Sequence, residues 1–223
     1  MIRRSTVKSK AMWLLIIVFI LGIVWQGCDK STETKHTPNI SPMVTIQPGA
    51  EGKDTYVCDC APAENNPNGP ESVLYQGYVG PWGGCRDRLM IRFDLSSVPD
   101  NVTINSGRLQ LYCEQIHGQK MGYLVYYRIT EDWQETAATF ATQPNYSEVD
   151  SVLSGFPIVE NWLSVDITDW VQQWYQDVST NHGVYGHSRD ASGSELAIAE
   201  FHSSDSRDSE KRPKLIVTYS RNE

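Results

Sequence analysis

Five histidines (His36, His117, His182, His187 and His202) are spread along the 223-residue chain without the His-Glu-x-x-His spacing that sets two imidazoles and a base on one helix face. No Gly-x-Ser-x-Gly elbow is present to raise a serine for acyl transfer. Asp132 and Glu135 flank Trp133 and are the pair that could serve a glycosidase as acid and base. Asp54, with Asn66, Asn68 and the backbone of Gly69, offers hard oxygen donors that would suit calcium, against an ordinary turn. The run Asp205 to Glu210 lacks the glycine and oxygen spacing of an EF-hand and reads as a solvated acidic loop.

Binding chemistry is better represented than catalysis. Sugar recognition needs aromatic surface for the apolar side of the rings and planar or charged donors for hydroxyls and carboxylates, and arginine's fork takes a carboxylate bidentately. Arg88 and Arg92 alternate with Leu89, Ile91 and Phe93, which assigns them to the outward face of a strand together with Met90. Arg108 and Arg128 occupy similar outward slots on two further strands, Tyr112 and Tyr126 interleave with them, and Lys120 sits in the connecting turn. Neighbouring strands would then carry a basic, aromatic strip, unless these arginines simply pair with nearby carboxylates. Trp82, in the loop Gly80-Pro81-Trp82-Gly83-Gly84, is a second candidate platform.

The elements that must position these residues are short strands. Met43 to Ile46, Thr55 to Cys60, Val73 to Val79, Arg88 to Leu95, Arg108 to Ile116, Gly122 to Thr130, Trp162 to Asp166, Gly183 to Gly186, Glu195 to His202 and Lys214 to Tyr219 read as strands separated by turns. Residues 131–161 read as looser chain, anchored by Trp133 and Phe140. One stretch has helical period: Ile167, Trp170, Val171, Trp174 and Tyr175 fall on one side of a helix over about 167–176, with Asp166 as its N-cap. A helix this short is marginal alone, so it must dock on a sheet. Short strands at regular spacing and one amphipathic helix indicate an all-β, jelly-roll-like β-sandwich.

The N-terminus reads as an export signal. Arg3, Arg4, Lys8 and Lys10 precede an uncharged run from Ala11 to Trp25, shorter than the roughly twenty residues of a membrane span. Gln26-Gly27-Cys28 resembles a bacterial lipobox, which would make Cys28 the lipidated first residue of an envelope lipoprotein; an uncleaved anchor and free secretion are the alternatives. Residues 1–27 are thus signal or anchor, 28–42 a polar tether, and 43–223 the domain. All 27 acids but only 15 of the 19 lysines and arginines follow residue 27, a net −12 that excludes a general nucleic-acid binder. With Cys28 set apart, Cys58, Cys60, Cys85 and Cys113 remain in an oxidising compartment. At least one bridge from the Cys58/Cys60 strand to Cys85 or Cys113 is expected, with three connectivities open.

Five segments in order resemble one family. Arg86-Asp87-Arg88-Leu89-Met90-Ile91-Arg92-Phe93-Asp94-Leu95-Ser96 resembles the signature strand of DNRLRE domains, also classed as carbohydrate-binding module family 96, and Thr103 to Tyr112 the strand after it. Thr130 to Thr136 with Gln143-Pro144, Val165 to Trp174, and Phe201 to Ser204 with Arg212 to Tyr219 resemble the family's Trp-x-Glu stretch, helix and ending. The resemblance implies a jelly-roll-like sandwich on an exported protein, with Trp133 in the core and Asp132 and Glu135 bonding turn amides. It also implies a non-catalytic role in holding polysaccharide, alginate among the ligands, with no required cofactor. A structural or adhesive module that engages another envelope protein is the alternative.

Overall fold

Residues whose side chains alternate between apolar and polar lie flat with one face dry, and among the described residues eleven strands, most of them of this kind, build the domain. They are β1 (Met43–Ile46), β2 (Lys53–Cys58), β3 (Val73–Val79), β4 (Cys85–Arg92), β5 (Val102–Gly118), β6 (Tyr123–Ile129), β7 (Tyr146–Ser154), β8 (Asn161–Asp166), β9 (Val184–Arg189), β10 (Ala197–His202) and β11 (Lys214–Arg221), with one α-helix, α1 (Thr168–Gln176). The structure is a computed structural model that describes residues 41–60, 71–79, 84–119, 122–189 and 196–222.

All pairings are antiparallel, in the order β1-β11-β5-β10-β3-β4-β9-β6-β7, with β2 also on β4 and β8 also on β5. The sheet curls into two layers. β1, β11, the first half of β5 and β8 make one, β2, β4, β9, β6 and β7 the other, and β10 with β3 joins them. Leu89, Ile91 and Phe93 from one side meet Leu109, Leu111, Val165, Leu215 and Val217 from the other in the main core. The all-β sandwich with a single helix is therefore the fold the alternation indicates.

The helix closes one end of the core. Trp170, Val171 and Trp174 are buried there with Ile167. Close approach needs Gly107, where an added Cβ would lie 2.5 Å from Val171 Cγ2. Ile167, not Asp166, is the residue preceding the first helical turn. Asp166 acts from one position earlier: its Oδ1 accepts from the Thr168 N–H at 3.1 Å and from the Thr168 hydroxyl at 2.6 Å, while the Gly107 N–H donates to that hydroxyl oxygen. The Thr168 hydroxyl, first, and then the Thr168 N–H and the Arg108 charge hold the Asp166 carboxyl below its ordinary range against partial burial. Asp166→Ala is expected to cost about 1 kcal/mol or less at pH 7 in urea melts. A depressed native pKa contributes stability above the unfolded value and loses it as pH falls through the native one. The gap between variant and wild type should therefore close below about pH 4. A gap unchanged at pH 2.5 would contradict this reading of the turn.

The second layer departs from simple alternation. A second cluster of Val57, Met90, Val125, Tyr127, Ile129, Trp133, Ala138 and Tyr185 lies on its outer side, with Phe140 and Tyr146 packed against it. The chain between β6 and β7, with its turns at Glu135 to Ala137 and Phe140 to Thr142, covers that face. Met90, expected outward and wet, is wholly buried beneath it. β7 falls within a stretch read as loose chain; it is an edge strand with no fully buried residue, and Val149 on it is 95% exposed.

Candidate functional site

Among the described residues, the outer face of the layer built on β5 is not covered by a second apolar cluster as the other is. On it β5 runs between β11 and β8, and register sets Arg108 opposite Asp166, Gln110 opposite Ser164 and Lys214, and Tyr112 opposite Trp162. These positions have the opposite parity to Leu109, Leu111, Val165 and Leu215, so burying those sends these outward. Tyr112 and Trp162 meet edge to face, with ring centres 5.3 Å apart. Lys214 Nζ stands 3.7 Å from the Trp162 ring centre and Lys211 Nζ 4.8 Å from that of Tyr112. Each aromatic thus pins an ammonium group over its face, which removes side-chain freedom a lysine would otherwise have to lose on binding.

Charge on this face is partly matched. Arg108 pairs with Asp166 at 3.3 Å, and Glu114 takes both Lys211 and His202 at 3.0 Å. The His202 hydrogen bond, then that of Lys211, lowers the Glu114 carboxyl below its usual range. Among the described residues Lys214 forms no salt bridge.

The residues expected to form one basic strip separate. Arg108 and Tyr112 share the open face. Arg88 and Arg92 lie on the outer side of the other layer, where Arg88 pairs with Asp59 at 3.0 Å and stacks 4.4 Å from the Phe140 ring centre. Arg92 stands 3.9 Å from Asp132. Arg128 has the parity of Leu124 and Tyr126, at the end of β6 that turns toward the interior, and pairs with Asp150 at 3.1 Å. Tyr126 is not outward at all: it is wholly buried in the main core, and burial pushes its phenol far up. The reason is that β6 is buried on both faces, so its two parities look alike. Lys120 and Trp82 lie outside the described residues, as does Cys28. Trp162, Lys211 and Lys214 were missed. The signal was the parity of Trp162, Ser164 and Asp166 against Val165, but nothing local places β8 beside β5.

A family model for carbohydrate-binding module family 96 matches residues 45–219. The chain belongs to that family. Modules of this kind typically bind carbohydrate without catalysis. No curated protein is similar enough to the chain to count as a match.

The rest of this family 96 module fits a binding role. Asp132 and Glu135 sit in different surroundings. Asp132 accepts from Lys53 Nζ at 2.8 Å at the surface, whereas half-buried Glu135 takes the Asp54 backbone N–H. Between them Trp133 is buried, its indole N–H donating to the His182 carbonyl at 2.9 Å. Cys60 and Cys85 form a disulfide, one of the bridges the sequence allowed. Cys58 and Cys113 are buried, and burial pushes the Cys58 thiol up to about 12, which disfavours the thiolate at neutral pH. A cleft of about 430 Å³ lined by Tyr56, Tyr75, His117, Leu196 and Ile198 holds Asp87 and borders Glu200, carboxylates that would repel an acidic ligand. Asp54 is buried at the start of β2, where its Oδ2 accepts from the Ser204 N–H at 2.8 Å; Asn66 and Asn68 lie outside the described residues.

Proposed function

We propose that this family 96 module holds an acidic polysaccharide, of the alginate type, along the open face of β11, β5 and β8, and does not transform it. The observation that carries the reading is that both aromatic rings of that face carry an ammonium group. A neutral glycan stacks on bare ring faces. Here Lys214, over Trp162, suits the repeated carboxylates of a polyuronate, and Lys211, over Tyr112, would take one in exchange for its Glu114 partner. The negative whole-chain charge does not forbid this, because screening over about 8 Å lets near charges outweigh the total. Arg108 would exchange its Asp166 partner for a glycan carboxylate at small cost, since an exposed pair contributes only about 0–1 kcal/mol.

The export signal, Cys28 and the tether of residues 29–42 support a place on the cell envelope, with lipid or an uncleaved anchor holding the module to a membrane. The alternative role, adhesion to another envelope protein, predicts no glycan affinity. Native gels containing alginate, pectin or neutral glucan separate the two, using the compact unit Ile40–Glu223. Retardation is expected in alginate, weakening as salt rises. Tyr112→Ala should remove it, and the double change Arg92→Ala/Arg128→Ala should not. Loss in the double change with retention in Tyr112→Ala would move the site, and free migration in every gel would favour adhesion.

A further inference from the structure

Three carboxylates from distant parts of the chain converge at one place that the glycan face does not use. Asp54 from β2, Glu135 from the segment covering the second cluster, and Asp205 from the loop after β10 each present an oxygen within 4.8 Å of the others. Asp54 is 1% exposed, and its Oδ1 has no hydrogen-bond partner. Glu135 Oε1 and Asp205 Oδ2 are likewise buried without a partner. Among the described residues none of the three forms a salt bridge.

An unpaired buried carboxylate oxygen costs free energy, and three together repel one another. Burial, first, raises all three carboxyls, Asp54 to about 7, with Glu135 and Asp205 adding to the effect on Asp54. Positive charge nearby is slight: Lys53 acts on Glu135 but is bonded to Asp132, and Arg212 acts on Asp205 while its Nε–H donates to the Ser206 carbonyl. Something positive belongs between these oxygens.

We infer that Asp54, Glu135 and Asp205 bind one hard divalent cation, calcium in preference to magnesium. Oxygens no farther than 4.8 Å from one another can share an ion that takes oxygen at about 2.3–2.6 Å. An all-oxygen, carboxylate-rich donor set selects against zinc and copper. Magnesium keeps several waters and fits poorly where the donors are this buried. The ion's task is structural: it ties the covering segment and the loop after β10 to β2. It differs from the site expected from sequence, which joined Asp54 to Asn66 and Asn68.

The test is a thermal melt of the full-length chain in detergent after exhaustive chelation, at pH 7.5, with and without calcium or magnesium. Calcium at about a hundred times its Kd should raise Tm by about 5–10 °C, with about one ion bound per chain by elemental analysis. Asp205→Asn and Glu135→Gln should each abolish the calcium shift while melting no lower than wild type in chelator, because each removes a repelling charge. If wild type melts identically in calcium and chelator, the oxygens share protons instead and the proposal fails. A calcium shift that persists in both variants would place the ion elsewhere and equally overturn it.

Discussion

Trp162→Ala is expected to weaken alginate binding about thirtyfold while leaving the module folded. Truncating a central aromatic anchor of a binding surface costs about 2 kcal/mol or more, which is about thirtyfold in Kd. Trp162 is such an anchor in two ways. Its ring, held edge-on by Tyr112, is half-buried surface at the end of the β5–β8 ladder. It also fixes the Lys214 ammonium group 3.7 Å above its centre, so its loss frees that lysine to sample solvent. Lys214→Ala alone should have a smaller effect that fades as salt is added, because it removes charge but leaves the ring. Titration calorimetry at two ionic strengths separates the contributions. A change under threefold for Trp162→Ala would remove the face from consideration.

Trp174→Ala should lower unfolding free energy by about 3–5 kcal/mol, the cost of emptying a buried aromatic site. Trp174 is 1% exposed, with its ring centre 6.4 Å from that of Trp170. The helix carrying both has nine residues and cannot hold itself together without the surface they bury. Against a total stability of about 5–15 kcal/mol, such a loss brings the domain near its unfolding threshold. Trp174→Phe should cost much less, because the indole N–H of Trp174 is buried without a partner and phenylalanine deletes it. Urea melts of the two variants check the order. A phenylalanine variant as damaged as the alanine one would mean that ring shape, not buried apolar surface, decides.

Legibility in the sequence follows how much of each element's environment is local. The helix was legible because its five apolar positions share one face, and β3 because its ends are marked by turn residues. β7 was not, since Tyr146 to Ser154 has no fully buried residue and shows no clear periodic apolar signal. The parity of β6 was ambiguous for the opposite reason. Tyr123-Leu124-Val125-Tyr126-Tyr127 is apolar throughout, the mark of a strand buried on both faces, and reading it as one-sided sent Tyr126 outward. Its second face is dry only because the chain after β6 folds back over it, a contact no window of sequence contains.

The candidate site divides in the same way. Arg108 and Tyr112 were legible from the alternation of a single strand. Trp162 and Lys214 join them only through the pairing of β8 and β11 with β5, which depends on partners far away in the chain. Asp54 was recognisable as a hard oxygen donor, yet Glu135 and Asp205 reach it from loops whose course is set by tertiary packing.

The glycan face is tested most directly by following the indole N–H resonances of Ile40–Glu223 in heteronuclear NMR while alginate oligosaccharide is added. Comparison with Trp162→Phe assigns the Trp162 signal. It should move progressively and saturate, while the signals of buried Trp133, Trp170 and Trp174 stay in place. A Trp162 resonance that does not move while another indole, Trp82 included, shifts on saturation would contradict the account.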